Sequence, residues 1–512
     1  MKRETALSIF KIVSATALAL VMGLSGIGHA QSIEKVPTGK GKAKYVFVFV
    51  GDGMSYPQIQ SAAYYIGKDA KGTVDETKKS SDSKDSPVAG SLSFYEFPVV
   101  GTASTYDATS FAPDSASTAT SIFTGHKTHS GSIGVDISKK VKYETIAEQL
   151  RDQKGWKIGV ISSVNINHAT PAATYAHVAS RKSNYEIGEQ LVQSNFDYFA
   201  GGALMEPEGK KKDQESIYER AKKAGYTVCF KKSEAESLKN GDKALVIAED
   251  LADENAFPYE NDRKTENWSL RDYVKKGIEV IDNKKGFFMM VEGGKIDWAC
   301  HANDARSSIA DTLALSDAVK EAIDFYNKHP SETLILVTAD HETGGLTIGY
   351  AGTDYNLFFR TLDKQTVSYA KFDSDYVAGY KANKTSFDDV MKDVEKCFGL
   401  KKPGSEGKNK NGGLVLTDYE YSKLRTAYEK TIKNDKSRNQ QEYDIYGTYE
   451  PLTITITHIL NAKCGIGWTS NSHTGLPVPV YAVGVNQNDF TGFYDNTDIY
   501  KKMAKIVNVT QK

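Results

Sequence analysis

The sequence has few cysteines, and none of them are paired at a spacing that binds metal. Its four cysteines, Cys229, Cys300, Cys397 and Cys464, lie far apart, and no CxxC pair occurs. A cysteine-based zinc site is therefore not expected. One or two disulfides are compatible with this spacing, and so are four buried thiols, because pairing cannot be deduced from sequence alone.

The chain also lacks an excess of charge of either sign. Its 64 lysines and arginines nearly balance 65 aspartates and glutamates, which gives a formal net charge of −1. A basic nucleic-acid-binding protein and an acidic solvating tail are therefore not expected. Hydrophobic residues make up 40% of the chain and aromatic residues 11%, enough for a sizeable core. Global disorder is excluded on the same ground.

Long apolar runs are rare too, and the one present is N-terminal. Basic residues precede an apolar stretch over residues 12–27, and Gly28-His29-Ala30 follows it. This order predicts a signal peptide over residues 1–30, and therefore a periplasmic or secreted protein with no membrane span after cleavage. A retained single-pass anchor is the alternative.

The rest of the chain alternates short apolar runs with helical patterns. Residues 45–50 form an unbroken run of β-branched and aromatic residues, typical of a central strand buried on both faces. Similar runs cover residues 157–163, 286–292, 333–340 and 479–484. Helical patterns separate them over residues 143–153, 217–225, 271–283 and 305–327. This alternation predicts an α/β fold, with helices on both faces of a mostly parallel central sheet.

Two segments look inserted into this core. Residues 64–91 are rich in Lys, Asp, Ser and Gly, which predicts a solvated excursion. Residues 346–466 are aromatic at first and then show helical patterns over 387–398 and 418–434. We interpret the longer segment as a crown over the core. Residues 31–512 are therefore expected to form one domain with two insertions.

Acidic residues follow several of the predicted strands. Asp52 comes just after the first strand, Glu292 ends another, and Asp340 with His341 ends a third. Ligands of open α/β sheets bind at the carboxyl ends of the strands, where these residues are expected. A single acid after a strand is often a helix cap or a turn residue, but several beside histidines indicate a metal site.

Further metal-ligand candidates follow in the chain. Asp297 and His301 lie four residues apart, so they share one face of a helix, and this pair suits Zn²⁺. His473, in the segment NSHTG, is a weak signal when taken alone. Together with the strand-end acids, these residues could supply two zinc sites and one further acid-rich site. Paired metal ions suit displacement at phosphorus.

One serine and one arginine could carry the rest of such chemistry. Ser115, in PDSASTAT, is expected near the start of a helix, where backbone N–H groups favour a phosphoryl group. A plain helix cap is the commoner role for such a serine. Arg181 could hold phosphate oxygens bidentately, although spacing alone does not select it. A serine beside paired ions makes a covalent phosphoryl-enzyme plausible.

As a set, the motifs of this sequence resemble those of the alkaline phosphatase family. They are GDGM at 51–54, DSASTAT at 114–120, HATPA at 168–172, HVASR at 177–181, EGGKIDWACHAN at 292–303, TADHETGG at 338–345 and SHTG at 472–475. Their order and spacing cover about residues 45–507 apart from the two insertions. The resemblance implies hydrolysis of small phosphate monoesters at alkaline pH by a catalytic domain of three-layer α/β/α architecture with a crown-like insertion. It also implies a possible homodimer.

The resemblance also implies a role for individual residues. Ser115 would be the nucleophile that becomes phosphorylated, and it would contact the second of two zinc ions. Arg181 would bind phosphate and be oriented by Asp114.

Three cations are implied, two Zn²⁺ and one Mg²⁺. The ligands of the first Zn²⁺ would be Asp297, His301 and His473. Those of the second would be Asp52, Asp340 and His341, in addition to Ser115. The Mg²⁺ would be held by Asp52, Thr170 and Glu292.

Two residues depart from the best-known enteric bacterial pattern. His168 stands where that pattern has Asp, and Trp298 stands where it has Lys; the combination resembles marine and cold-adapted bacterial members. Both are expected beside the substrate phosphate. Whether His168 also ligates a metal ion directly is left open. Because Trp298 carries no charge, we expect product phosphate to be held less tightly.

Three other functions agree less well with this sequence. A sulfatase would carry a Pro and an Arg just after its nucleophile, and the sequence from Ser115 lacks both. Phosphodiesterase relatives often use Thr as nucleophile and lack an Arg suited to a dianionic monoester, so Ser115 and Arg181 favour monoesters. A catalytically inactive binding protein is the remaining alternative, and the full ligand set argues against it.

Overall fold

The computed structural model describes residues 41–67, 88–410 and 412–511. The predicted signal peptide and most of the predicted insertion at 64–91 lie outside these residues. In the part of the chain that is described, no helix is both long enough and apolar enough to cross a membrane.

A ten-stranded sheet forms the centre of the molecule, and two small ladders accompany it. The strands in chain order are β1 (Tyr45–Gly51), β2 (Val99–Ser104), β3 (Lys157–Asn165), β4 (Tyr198–Gly202), β5 (Thr227–Cys229), β6 (Ala244–Ile247), β7 (Phe287–Gly293), β8 (Thr333–Ala339), β9 (Glu342–Thr343), β10 (Thr347–Ile348), β11 (Ile466–Gly467), β12 (His473–Thr474), β13 (Val478–Gly484) and β14 (Gly492–Asp495). The order in the central sheet is β14-β2-β13-β8-β1-β7-β3-β4-β6-β5. Only β13 among these ten strands is antiparallel to its neighbours, so the prediction of a mostly parallel sheet is confirmed.

Helices surround this sheet. In chain order they are α1 (Tyr56–Tyr65), α2 (Ser115–Thr124), α3 (Ile146–Lys154), α4 (Ala169–Ala172), α5 (Asn184–Ser194), α6 (Ile217–Lys223), α7 (Lys232–Glu236), α8 (Leu270–Ile281), α9 (Lys295–His301), α10 (Ala305–Lys328), α11 (Tyr369–Phe372), α12 (Ala378–Asn383), α13 (Phe387–Phe398), α14 (Asp418–Ile432), α15 (Gln440–Tyr446), α16 (Pro451–Cys464) and α17 (Thr497–Val507). A π-helical turn, Asp373–Val377, joins α11 to α12.

Two neighbouring phenylalanines of β7 show how the layers are built. Successive side chains of a strand point to opposite faces of the sheet. Phe287 packs edge-on against Phe325 of α10, with ring centroids 5.2 Å apart, and Phe288 packs against Phe123 of α2 at 6.5 Å. Helices therefore cover both faces, and the predicted α/β/α sandwich is confirmed.

The sheet order explains where the polar residues meet. β1 lies between β7 and β8, and all three strands are parallel and buried along their whole length. Their carboxyl ends are therefore side by side. Glu292 lies near the end of β7, Asp52 follows β1, and Asp340 follows β8, so three acidic side chains reach one edge of the sheet.

The segment predicted as a crown begins and ends at a two-stranded antiparallel ladder formed by β10 and β11. Thr347 of β10 pairs with Gly467 of β11, and Ile348 pairs with Ile466. Between these strands lie helices α11 to α16, including α13, which has the predicted bounds. α14 ends at Ile432, two residues before the predicted end.

The four cysteines are buried free thiols. Of the two alternatives that the sequence leaves open, the structure supports the one without disulfides.

Candidate active site

Three side chains from α9 and β12 converge at the carboxyl edge of the sheet. His301 Nε2 lies 3.1 Å from His473 Nε2 and 3.3 Å from a carboxylate oxygen of Asp297. Each imidazole donates from Nδ1 to a backbone carbonyl 2.6 Å away, His301 to Asn471 and His473 to Pro113. A carbonyl only accepts, so in the neutral rings both Nε2 atoms direct lone pairs toward the carboxylate. Three electron-pair donors that face one point are suited to a divalent cation.

The pKa shifts in this first group also favour a bound cation. Burial opposes the charge on Asp297, but His301 beside it holds the pKa of the carboxyl well below its usual value. Burial also opposes the charge on His301, but Asp297 raises its pKa to about 9. At neutral pH the Nε2 atom of His301 therefore carries a proton unless a metal ion takes the place of that proton. A metal ion that bound here would therefore release a proton.

A second group surrounds His341, which is fully buried. His341 Nε2 lies 3.3 Å from a carboxylate oxygen of Asp52, 3.3 Å from one of Asp340 and 3.1 Å from Ser115 Oγ. Burial first, and then the neighbouring carboxylates, raise the pKa of Asp52 well above its usual value, and similar causes raise that of Asp340 to about 8. A bound divalent cation would reverse these shifts, because it supplies the missing positive charge.

Thr343 joins the first group to the second. Its hydroxyl donates to Asp297 Oδ1, so its oxygen is free to accept from His341 Nδ1 at 3.3 Å. This fixes the proton of His341 on Nδ1 and leaves the Nε2 lone pair facing the carboxylates. The rings of His341 and His473 stack with centroids 3.7 Å apart, so the two groups are adjacent. The role of Thr343 was missed in the sequence, although it lies within TADHETGG.

A third group contains Asp52, His168 and Glu292, with ligand atoms within 4.8 Å of one another. Each of these residues has one buried atom without a hydrogen-bond partner: Asp52 Oδ1, His168 Nδ1 and Glu292 Oε1. Thr170 donates to Asp52 Oδ2 at 3.4 Å, and Ser162 donates to Glu292 Oε2. Burial raises the pKa of Glu292 to about 7. The oxygen donors of this group suit Mg²⁺, which prefers oxygen ligands.

Ser115 is the first residue of α2 and is almost completely buried. Asp114 caps this ten-residue helix, because its carboxylate accepts from the backbone N–H of Ser117 at 3.1 Å and of Gly131 at 2.9 Å. The Ser115 hydroxyl is therefore held at the positive end of the helix dipole, where negative charge on oxygen or phosphoryl is stabilised.

Arg181 lies on the other side of Asp114. Its Nη1 donates to Asp114 Oδ2 at 3.0 Å, and its Nη2 donates to His168 Nε2 at 3.1 Å. A guanidinium only donates, so His168 accepts at Nε2 and carries its proton on Nδ1. Burial and then the charge of Arg181 lower the pKa of His168 to about 3, which keeps the ring neutral. Because a protonated nitrogen cannot ligate, this tautomer opposes direct metal ligation by Nδ1.

The structure thus brings together every residue predicted for the site. Trp298, on α9, packs edge-on against His168 with ring centroids 6.0 Å apart. Two further side chains at the site were missed in the sequence. Thr118 donates to the proposed ligand Asp340, and Glu342 orders its own loop by accepting from Gln58 and from two backbone N–H groups. Both lie within or beside the motifs, but only a structure shows their partners.

Comparison with known proteins gives a consistent result. The family model described as alkaline phosphatase matches residues 43–509. The chain is 30% identical to alkaline phosphatase 4 of Bacillus subtilis (strain 168), over 96% of this chain and 95% of that protein. It is also 30% identical to alkaline phosphatase 3 of the same organism, over 95% and 94%. Among solved structures, the cold-active alkaline phosphatase from the psychrophile Shewanella sp. is similar, with a TM-score of 0.71 and 27% identity over 90% of this chain and 99% of that one.

Proposed function

This chain belongs to the alkaline phosphatase family and is a phosphomonoester hydrolase, and we propose that it acts through a phosphoserine at Ser115 and a centre of two Zn²⁺ and one Mg²⁺. One observation carries the proposal. The lone pairs of His301, His341 and His473 face buried carboxylates, and Ser115 Oγ lies 3.1 Å from His341 Nε2.

The donor sets fit the proposed ions. Imidazole and carboxylate groups suit Zn²⁺ at Asp297 with His301 and His473, and at Asp52 with Asp340 and His341. Oxygen donors suit Mg²⁺ at Asp52, Thr170 and Glu292. When bound, such ions stabilise the attacking and leaving oxygens of a displacement at phosphorus.

The chain's own residues bind and orient the substrate. Arg181, fixed by Asp114 and His168, holds two non-bridging oxygens of the phosphoryl group. Ser115 Oγ attacks phosphorus as its proton passes to solvent, and the Oγ–P bond forms as the ester P–O bond breaks. The alcohol leaves with a proton from solvent. Water then attacks the phosphoserine, releases inorganic phosphate and restores the Ser115 hydroxyl.

An alkaline optimum is part of the proposal. The Ser115 hydroxyl must lose its proton before or during the attack. Protons also compete with metal ions for the ligands, as the pKa of about 9 for His301 indicates. Both effects favour activity at high pH.

Export and assembly are part of the proposal as well. The apolar segment before Ala30 supports export to the periplasm or the medium. A homodimer rests on family resemblance alone.

The decisive experiment compares Ser115→Ala with Ser121→Ala, a buried serine on the same helix. We expect Ser115→Ala to lower the rate of p-nitrophenyl phosphate hydrolysis by at least about 10³-fold and to abolish phosphoserine trapping at acid pH. Ser121→Ala should keep both. EDTA should abolish the wild-type activity. A covalent phosphate that survives in Ser115→Ala would contradict the proposal, and faster hydrolysis of the bis ester would favour a diesterase.

A further inference from the structure

Lys295, the first residue of α9, is a completely buried lysine that the proposed reaction does not use. Its ammonium lies 2.6 Å from Asp253 Oδ1, 42 residues away in the chain. Charged side chains are almost never fully buried unless they are paired and serve a purpose in that place. Asp253 satisfies one of the three N–H donors of the ammonium.

Two aromatic rings also lie beside this charge. The Lys295 ammonium lies 3.8 Å from the ring centroid of Tyr259 and 4.6 Å from that of Trp298. A desolvated cation over the face of a tryptophan is held more strongly than an exposed one. The ammonium is therefore in contact with the indole ring of Trp298.

Trp298 in turn contacts the proposed phosphate-binding residues. Its ring meets His168 edge-on, at 6.0 Å and an interplanar angle of 79°. His168 accepts a hydrogen bond from Arg181, which also pairs with Asp114. An unbroken series of contacts thus connects the Lys295 ammonium to the guanidinium.

We infer that Lys295 is a positioning residue for phosphate binding: its ammonium fixes Trp298, and through Trp298 and His168 it fixes Arg181. This inference rests on the proposed role of Arg181. It differs from a purely structural role, in which Lys295 would only anchor the segment around Asp253 to α9. It also differs from direct attraction of phosphate by the Lys295 charge.

The test measures the inhibition constant for inorganic phosphate, together with bound zinc. Lys295→Met keeps the aliphatic stem and removes the ammonium, so we expect this constant to rise roughly 3- to 30-fold with zinc content unchanged. Lys295→Arg keeps the charge and should restore most of the affinity. The matched control is Lys463→Met, which removes a buried, paired ammonium from the crown segment and should leave the constant within about twofold of wild type.

A double-mutant cycle separates the three roles. If Lys295 acts through Trp298, the effect of Lys295→Met disappears in a Trp298→Leu background. An effect of equal size in both backgrounds would overturn the inference and favour direct attraction. Loss of thermal stability with an unchanged inhibition constant would also overturn it, in favour of the structural role.

Two more variants cover the remaining outcomes. If Lys295→Met does not fold, Asp253→Asn leaves Lys295 in place but removes the negative charge that pairs with its ammonium, and we expect a smaller rise of the inhibition constant. No rise there would overturn the inference. Arg181→Lys should weaken phosphate binding more than either variant. If Arg181→Lys does not weaken phosphate binding, the proposed role of Arg181 is wrong, and so is this inference. If Arg181→Lys weakens binding but the Lys295 and Asp253 variants have no effect, only this inference is wrong.

Discussion

Buried charged groups have different partners in the crown segment, residues 346–466, and at the carboxyl edge of the central sheet. In the crown, the ammonium of Lys463 lies 2.9 Å from Glu420 and 3.1 Å from the carbonyl oxygen of Val415. At the sheet edge, Asp52 and Glu292 are fully buried, yet each leaves one oxygen without a hydrogen-bond partner. A buried charge that the protein pairs is part of the fold, whereas a cluster of buried carboxylates with oxygens left over is suited to hold a cation.

The pKa shifts at the sheet edge show what the crowding of carboxylates does. Burial raises the pKa of Asp52 well above its usual value and that of Glu292 to about 7. Several carboxylates that share one dry site cannot all be ionised without added positive charge. The sheet edge is therefore a place where protons and metal ions compete. In the crown segment burial also raises the pKa of Asp373, to about 7, but Thr453 donates a hydrogen bond to that carboxylate and, within the part of the chain that the structure describes, no second buried carboxylate shares an ion site with it.

The largest effect is expected where the charge of a proposed metal ligand is removed from the sheet edge. Asp297→Asn keeps the shape of the side chain but removes the charge that faces His301 and His473. We expect zinc content to fall and kcat/KM to drop by at least about 10²-fold, because a metal ligand contributes more than the groups that orient it. Metal analysis and p-nitrophenyl phosphate hydrolysis measure the two quantities.

The matched control for this variant is a partly buried aspartate of the crown. Asp373 accepts a hydrogen bond from Thr453, so its partner comes from the protein itself. Asp373→Asn should keep full activity and full zinc content. Normal zinc content in Asp297→Asn would break the comparison, because it would show that this carboxylate is not a ligand.

A smaller effect, on stability alone, is expected from Lys463→Met. The substitution removes the partner of Glu420 and leaves the carbonyls of Asn409 and Val415 without this donor. We expect a loss of about 1–3 kcal/mol in the free energy of unfolding, the usual cost of an unsatisfied buried group, with kcat/KM unchanged. Denaturant unfolding and steady-state kinetics test this. A changed KM would mean that charges of the crown act on the site.

The sequence predicted the buried centre of the fold well. β1 was expected over residues 45–50 and covers Tyr45–Gly51, because an unbroken apolar run is typical of a strand buried on both faces. Strands with mixed patterns were not predicted. β2 (VVGTAS) alternates buried and exposed positions next to an edge strand, and β4 (YFAGG) is short and ends in two glycines.

One helix shows why local patterns are not enough. α16 contains the alternation TITIT, which has the period of a strand, yet it is helical. Pro451 at its start favours a helix, and most positions around the helix are buried, so tertiary packing decides the outcome.

The candidate site was predictable where chemistry requires particular residues at particular spacings. Asp297 and His301 were expected on one helical face and lie together on α9. Thr343 and Lys295 were not predicted to act, because a threonine and a lysine have many ordinary roles. Their partners are 46 and 42 residues away, and only the fold brings them together.

The smallest expected effect comes from a paired charge close to the site in sequence. His177 lies four residues before Arg181, yet both its nitrogens have acceptors: Nδ1 faces the carbonyl oxygen of Gly134 at 2.9 Å, and Nε2 faces Glu148 at 3.0 Å. Two acceptors require two N–H groups, so the ring is an imidazolium. Like Lys463 of the crown segment, His177 is therefore paired by the protein itself, and it is not one of the proposed metal ligands.

His177→Gln should therefore reduce stability in one pH window only. Burial opposes the charge on both partners, but Glu148 raises the pKa of His177 above 6.5, and His177 lowers that of Glu148 below 4.5. The charge of His177 contributes fully to the free energy of unfolding below pH 6.5, and this contribution is lost as pH rises through the folded pKa of His177. The charge of Glu148 contributes fully above pH 4.5, and this contribution is lost as pH falls through the folded pKa of Glu148. The difference in unfolding free energy between wild type and variant, both stripped of metal, should thus be largest between pH 4.5 and 6.5, at about 1 kcal/mol. If this difference in unfolding free energy instead stays constant into the alkaline range, the ring of His177 acts as a neutral hydrogen-bonding group. His177 and Glu148 would then not be an ion pair that the protein neutralises by itself.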